Sequence, residues 1–161
     1  MATSAPERAV PDLSFMLAHT AHVLATRMTA AFAEIGITPR DYCVLYHANS
    51  GELTQIELAR VSDLDKTTMV VTLDELEKAG YAQRRPSQAD RRARVVVVTD
   101  EGRRLVAAGH EIADRVHAEV LAELPPASRA AFVDSLARLV GGLLAEPVEC
   151  ERPVRRARQA S

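Results

Sequence analysis

The chain has 161 residues, of which 47% are hydrophobic, and this length and content suit one folded domain with a sizeable core. Its two distant cysteines exclude a disulfide framework and favour a reducing cytoplasm. The N-terminal sequence does not read as a signal peptide, and no apolar run is long enough for a membrane span. The net charge of −2 gives no indication of a polyanion partner for the chain as a whole.

A stripe of apolar residues at spacings of three and four predicts a first helix over Leu13–Ile35. Thr38 as N-cap and Pro39 at the first helical position predict a second helix, which should end near residues 49–51. Residues 1–12 are polar and contain two prolines, so we expect a flexible N-terminal arm.

Two further helices are predicted between residues 54 and 80, joined by a turn at 62–64. The first begins at a capping box, in which Thr54 and Glu57 satisfy each other's backbone amides. The second is capped by Asp65. Apolar spacing predicts which residues these helices bury. They are Leu58, Ala59 and Val61 in the first helix and Met69, Leu73 and Leu76 in the second.

Two strands are predicted next, over Tyr81–Pro86 and Ala93–Asp100, with a loop between them that makes a hairpin. From Arg84 to Arg94 this hairpin is rich in arginine, with Asp90 as the one acid. The arginines are Arg84, Arg85, Arg91, Arg92 and Arg94. A local basic patch inside a nearly neutral chain is a stronger indication of a polyanion partner than total charge.

After the hairpin, Thr99 or Asp100 should cap a long helix that Pro125 and Pro126 end. A last helix is predicted from Ser128 to about Leu144. The apolar stripes of these two helices contain Ile112, Val116, Phe132, Leu136 and Leu139. Residues 146–161 are highly charged, and we expect a disordered tail.

Helix, tight turn, helix and basic hairpin is the order of a winged helix-turn-helix. The expected fold is therefore mainly α, with a small β-hairpin. In this layout the second helix can enter a major groove of duplex DNA, and the hairpin tip can reach phosphates or the minor groove, whose negative potential attracts arginine.

The stretch Leu53–Val106 closely resembles the MarR family of transcription regulators. The motif that carries the resemblance is Asp90-Arg91-Arg92-Ala93, followed by Thr99 and Gly102, after a helix-turn-helix. The resemblance implies a homodimer held by helices within residues 13–37 and 100–145. The DNA-binding lobe would be residues 38–99, and a two-fold symmetric dimer would read a pseudo-palindromic operator in double-stranded DNA.

By position in the family pattern, the resemblance also implies the DNA-contacting residues. They are Thr54, Gln55, Lys66, Thr67, Thr68, Val70, Val71, Asp90, Arg91, Arg92 and Arg94. Lys66 suits a phosphate, and Asp90 would brace the wing loop while Arg92 enters the minor groove. Val70 and Val71 depart from the family pattern, where threonine and arginine are frequent, and can offer only methyl contact, for example to thymine.

The resemblance further implies a regulator, most often a repressor, that a small anionic or phenolic aromatic effector releases from DNA. Candidate effector-binding residues are His19, His22, Met28, Tyr42 and Tyr46. The two histidines lie three residues apart on one helix face and could bind a carboxylate or phenolate. No cofactor and no metal are expected.

Three alternatives stay open. Cys43 could sense oxidants, although a buried inert thiol is the simpler interpretation. Cys43 and His47 are four residues apart, which is a spacing that zinc sites use. A winged helix can also bind protein, although the basic hairpin argues against that. An enzyme is not expected, because the sequence has no Gly-rich phosphate loop, GxSxG motif or His/Glu metal motif.

Overall fold

The computed structural model describes residues 12–87, 93–146 and 148. Most of the predicted arm (1–12) and tail (146–161) lies outside these residues. The helices and strands follow the predicted order. They are α1 (Leu13–Phe32), α2 (Pro39–Asn49), β1 (Leu53–Thr54), α3 (Gln55–Val61), α4 (Lys66–Lys78), β2 (Ala82–Pro86), β3 (Arg94–Val98), α5 (Asp100–Ala122) and α6 (Pro126–Val140), with a 3-10 turn at Ala33–Ile35 after α1. None of the helices in the described ranges is long and apolar enough to cross a membrane.

Helices α2, α3, α4 and α5 begin at side chains that satisfy their first backbone amides, as the sequence predicts. Thr38 and Thr54 both form complete capping boxes, with Asp41 and Glu57 respectively. For α5 the structure decides between the two predicted caps, because the hydroxyl of Thr99 accepts a hydrogen bond from the backbone amide of Gly102 at 3.1 Å. These starting points depend on local sequence alone, which explains why they could be predicted.

The sheet has three strands, and the prediction of a hairpin alone was incomplete. Its order is β1-β3-β2, and both pairings are antiparallel. Leu53 pairs with Val96, and Arg84 pairs with Val96 from the other side. β1 has two residues, which is too short to produce an alternating pattern in the sequence. The central valine run therefore has strands on both sides, and β2 is an edge strand.

Several predicted boundaries and burials need correction. Val61 is exposed, because the buried stripe of α3 continues from Leu58 to Ser62, four residues later. Both strands are shorter than predicted, because β2 begins after Tyr81 and β3 ends before Thr99. The last helix begins at Pro126 rather than Ser128 and ends at Val140. Proline has no amide to satisfy at the first helical position, so it can begin this helix.

The chain divides into two compact units, Met1–Ala118 and Glu119–Ser161. Within the first, the helix-turn-helix and sheet share a core in which Leu45, Leu58, Met69 and Leu73 are fully buried. A second cluster joins Phe32, Ile37, Ile112 and Ala113, which come from α1, the connection after it and α5. In the second unit, no residue of α6 is buried. The core that positions the candidate DNA-binding helices therefore lies wholly in the first unit.

Candidate nucleic-acid interface and ligand groove

Helix α4 begins with a tightly capped turn whose outer side chains are exposed. The carboxylate of Asp65 accepts hydrogen bonds from the amides of Thr67 and Thr68, at 2.9 and 3.0 Å, and from the Thr68 hydroxyl at 2.5 Å. These hydrogen bonds lower the pKa of Asp65, with that of the Thr68 side chain first among them. Lys66 and Thr67 are exposed beside this cap. The turn can therefore present an ammonium and a hydroxyl while Asp65 holds the backbone.

Further along α4, the two valines predicted to face DNA differ in exposure. Val71 has 51% of its surface exposed, whereas Val70 is half-buried. The Thr68 hydroxyl is already bound to Asp65. Thr72 is buried and donates to the carbonyl of Thr68 at 2.9 Å. Thr67 and the methyl groups of Val71 are thus the groups on this side of α4 that are best placed to meet a base edge.

The two predicted contacts at the start of α3 are engaged within the protein. The Thr54 hydroxyl donates to Glu57 at 2.8 Å and accepts from the Glu57 amide at 3.3 Å. The backbone amide of Thr54 also donates to the Glu57 carboxylate at 2.8 Å, and this bond first, then that of the Thr54 hydroxyl, lowers the pKa of Glu57. Gln55 accepts a hydrogen bond from Nε of Arg84 at 3.3 Å through its side-chain oxygen. The neighbouring Ile56 is 78% exposed and lines a small groove with Gln55 and Lys66. The sequence reading missed Ile56, although an isoleucine in the first turn of such a helix was a visible signal.

The described part of the wing presents one predicted DNA contact, Arg94, at the exposed start of β3. The amide of Ser87 donates to the carbonyl of Ala93 at 2.9 Å and continues the hairpin beyond its last strand pair. Asp90, Arg91 and Arg92 lie outside the described residues. Arg84, counted in the basic patch, has its charge paired with Asp74 and Glu77 of α4. The outward-facing patch is therefore smaller by one arginine than the sequence count suggests.

The predicted effector residues do not all line one groove. Met28 lines a groove of about 590 Å³ between α1 and α2. The other lining residues are Ala21, Leu24, Ala25, Thr29, Thr38, Pro39 and Arg40. His19 stacks on Phe15 near the start of α1, and His22 is exposed. At about 1.5 Å per residue, His19 is roughly 14 Å from Met28 along the helix axis, so the structure does not bring these two together.

Tyr42 and Tyr46 do come together, with a partner from α5 that the sequence reading missed. Their ring centroids are 5.9 Å apart, and Tyr46 lies parallel to His110 at 6.5 Å. The Tyr42 hydroxyl is 3.3 Å from Nδ1 of His110, whose Nε2 is 3.6 Å from Asp114. Burial first, then nearby Tyr46 and Asp114, raise the pKa of Tyr42.

Glycine at position 109 allows α5 to approach this cluster. A Cβ there would overlap the ring of Tyr42 and press on that of Phe32. His110 comes from α5, whereas Arg40 lies on α2 together with the predicted Tyr42 and Tyr46. In the sequence, Arg40 was visible as a cation in the first turn of a capped helix, whereas His110 gave no signal of its own.

Cys43 is half-buried, with a free thiol. Burial raises the pKa of this thiol, and the neighbouring Ser62 hydroxyl offsets part of the effect. A thiol that resists ionisation is a poor nucleophile and a poor metal ligand. Within residues 12–87, 93–146 and 148, no three His, Cys, Asp or Glu side chains come together as a metal site. The raised pKa weighs against the oxidant-sensing alternative at Cys43.

The geometry of these helices and strands defines a winged helix-turn-helix protein, with a capped α4 beside a basic hairpin. A model of the MarR family matches residues 35–93. The chain is 31% identical over 96 residues to the uncharacterized HTH-type transcriptional regulator YdgJ of Bacillus subtilis, and this match covers 60% of the chain and 57% of YdgJ. An HTH-type transcriptional repressor of Mycobacterium bovis is 29% identical over 79% of the chain and 92% of its own length.

Solved structures extend the similarity beyond the helix-turn-helix. CouR from Rhodococcus jostii RHA1, bound to p-coumaroyl-CoA, is 27% identical over 87% of this chain and 96% of its own, with a TM-score of 0.72. CouR bound to a 23-mer DNA duplex gives 25% identity over 80% of this chain and 92% of its own, with a TM-score of 0.73. A Mycobacterium tuberculosis MarR family protein in complex with p-aminosalicylic acid is 26% identical over 80% of this chain and 98% of its own, with a TM-score of 0.68. The chain therefore resembles MarR family proteins, through the model match at residues 35–93 and through these solved structures.

Proposed function

We propose that this protein is a homodimeric transcription regulator that reads a pseudo-palindromic operator in duplex DNA and acts as a repressor. The observation that carries the proposal is the exposed, capped start of α4 beside the basic hairpin β2–β3. CouR, which shares the fold over most of both chains, has been solved on a DNA duplex. Such a regulator must reach its operator, so the proposal includes the cytoplasmic location expected from the sequence.

In this proposal the start of α4 lies in a major groove. Lys66 neutralises a phosphate, while Thr67 and the exposed methyl groups of Val71 meet base edges. Arg92 and Arg94 bring the wing to the backbone and the adjacent minor groove. A protein-binding winged helix would have no need of cations at both places. Thr54 and Thr68 act through the caps they form, which hold the two helices in place.

The dimer is proposed from apolar surface that the single chain leaves exposed. In α6, Phe132 is 43% exposed, Leu139 36% and Val140 67%. In α1, Leu13 and Phe15 are more than half exposed. Large apolar side chains exposed on a helix mark an interaction site, and a second copy of the chain would cover those of each helix by symmetry.

The test is selection of random duplex DNA by the purified full-length protein, followed by sequencing. Enrichment of a two-fold symmetric site with half-sites about 10 base pairs apart is the expected result. Arg92→Ala should weaken binding to that site roughly tenfold or more, the cost of losing an arginine at the DNA. Arg104→Ala is the matched control, since Arg104 is exposed on α5 and paired with Glu101. No enrichment by a folded protein would refute the proposal.

We further propose that a small anionic aromatic effector binds the groove between α1 and α2 and releases the DNA. The groove is lined by the apolar side chains of Leu24 and Met28 and has Arg40 at its edge. It also meets the start of α2, where the helix dipole favours an anion. Structures of CouR with p-coumaroyl-CoA and of the mycobacterial protein with p-aminosalicylic acid support this class of ligand.

Competition experiments on labelled operator test the effector site, with salicylate, p-aminosalicylate and p-coumarate as probes. At least one should release wild-type protein from DNA. Arg40→Gln should raise the concentration needed while leaving operator affinity itself unchanged. Arg27→Gln is the control, because Arg27 lies on α1 outside the lining of the groove. If Arg40→Gln responds like wild type, the effector does not use this groove.

A further inference from the structure

Arg84 on the edge strand β2 contacts both helices of the helix-turn-helix. Its guanidinium binds Asp74 of α4 at 2.8 Å and also pairs with Glu77 of α4. Nε donates to Gln55 of α3 at 3.3 Å, and a longer contact of 3.5 Å reaches the carbonyl of Val70. One side chain therefore joins wing, recognition helix and supporting helix.

The backbone of Arg84 takes part in the same link. Because β2 is an edge strand, half of its amides point away from the sheet and need another partner. The amide of Arg84 donates to Glu77 at 2.6 Å, so the Glu77 carboxylate receives both the backbone and the side chain of one residue. This double attachment fixes the edge of the wing against the last two turns of α4.

Burial makes this link different from the surface ion pairs of the chain. The side chain of Arg84 is 19% exposed and that of Glu77 31%, whereas the pair Arg104–Glu101 is 75% and 57% exposed. Exposed pairs contribute little to stability because water screens them and the side chains lose freedom. A partly buried pair with several hydrogen bonds holds a defined geometry, and its arginine is not available to a phosphate.

We propose that Arg84 is a positioning residue that sets the orientation of the recognition helix relative to the wing, so that both engage one duplex at once. The inference rests on the proposed DNA-binding function. Sequence-specific binding needs α4 and the wing in their grooves together, whereas non-specific binding needs only cations near phosphates. Loosening the link should therefore reduce discrimination between operator and random DNA, with little effect on non-specific affinity.

The experiment compares operator and non-specific affinities of full-length Arg84→Met with those of wild type, at one salt concentration and over a salt series. The ratio of the two affinities should fall roughly tenfold or more, the loss typical of one mismatched base contact. Arg84→Lys keeps the charge but cannot reach Gln55, Asp74 and Glu77 together, so its ratio should be intermediate. Arg85→Met is the matched control for the lost charge: Arg85 is exposed and hydrogen-bonds Gln83 of its own strand, so its removal should lower both affinities alike and leave their ratio unchanged.

Three results would overturn the inference. Equal loss of both affinities with a shallower salt dependence would make Arg84 a phosphate contact. An unchanged ratio would leave it no positioning role. If Arg84→Met does not fold, the double variant Arg84→Met/Glu77→Gln removes the unpaired carboxylate, and a wild-type ratio in that variant would refute the link. Wild-type protein that shows no preference for any duplex would instead refute the proposed function itself.

Discussion

Helices α4 and α6 have similar lengths and similar apolar spacing in the sequence, yet they use their apolar stripes differently. In α4, Met69, Leu73 and Leu76 are buried in the core of the first unit. In α6, Phe132, Leu139 and Val140 remain exposed. The comparison teaches that periodicity predicts a helix and its apolar face, but not whether the same chain covers that face.

Truncation of an equivalent leucine in each helix is the most direct test of this difference in burial between α4 and α6. Leu73→Ala should lower the free energy of unfolding by about 2–5 kcal/mol, because it leaves a cavity in a filled core. Leu139→Ala should cost about 1 kcal/mol or less in the isolated chain, as surface substitutions do. Urea unfolding at matched low protein concentration measures both. Equal losses would show that α6 belongs to the core of one chain.

The second prediction sharpens the assignment of the α6 stripe to a dimer. Phe132→Ala should raise the dimer dissociation constant roughly tenfold or more, since burying an aromatic side chain contributes about 1.5–3 kcal/mol. Asp134→Ala is the control, because at about 100° per residue Asp134 points away from that stripe. Sedimentation equilibrium measures both constants. Dissociation constants that do not differ would assign the interface to another surface.

The contact of the outer face of α4 with DNA can be tested by removing one methyl group from the protein and one from the DNA. Replacing thymine by deoxyuridine at the operator position nearest Val71 should weaken wild-type binding a few-fold, since burying one methyl group contributes about 0.8 kcal/mol. Val71→Ala should weaken binding similarly and become insensitive to the DNA change. Val61→Ala, with 48% exposure against 51%, is the matched control. Additive losses from the protein and DNA changes would show that the two methyl groups do not meet.

The smallest expected effect concerns the cap of α4 and its dependence on pH. The pKa of Asp65 is lowered in the folded protein, so its contribution to stability is complete above the unfolded-state value of about 3.9 and is lost as the pH falls through the folded-state pKa. Asp65→Ala should lower the urea midpoint at pH 7 and flatten its fall under acid. Asp65→Asn keeps a capping oxygen and should flatten the acid fall alone. A wild-type acid profile in both variants would contradict this role.

Local sequence was sufficient to predict much of the winged helix-turn-helix. The caps at Thr38, Thr54 and Asp65 and the buried stripe of α4 were predicted correctly, because each depends on residues within one or two turns. The existence of the hairpin follows from the valine run of β3 and the polar turn residues before it. The family resemblance then gave positions for the DNA contacts, which stay predictions.

Tertiary structure decided what neighbouring segments do to one another. It added β1 to the sheet, brought His110 to Tyr42 and Tyr46, and kept His19 near the start of α1, away from Met28. It also turned Arg84 from a member of a basic patch into the partner of Asp74 and Glu77. The physical reason is that caps and stripes are set by contacts a few residues apart, whereas these pairings join residues 7 to 68 positions apart, whose approach depends on how the helices and strands pack.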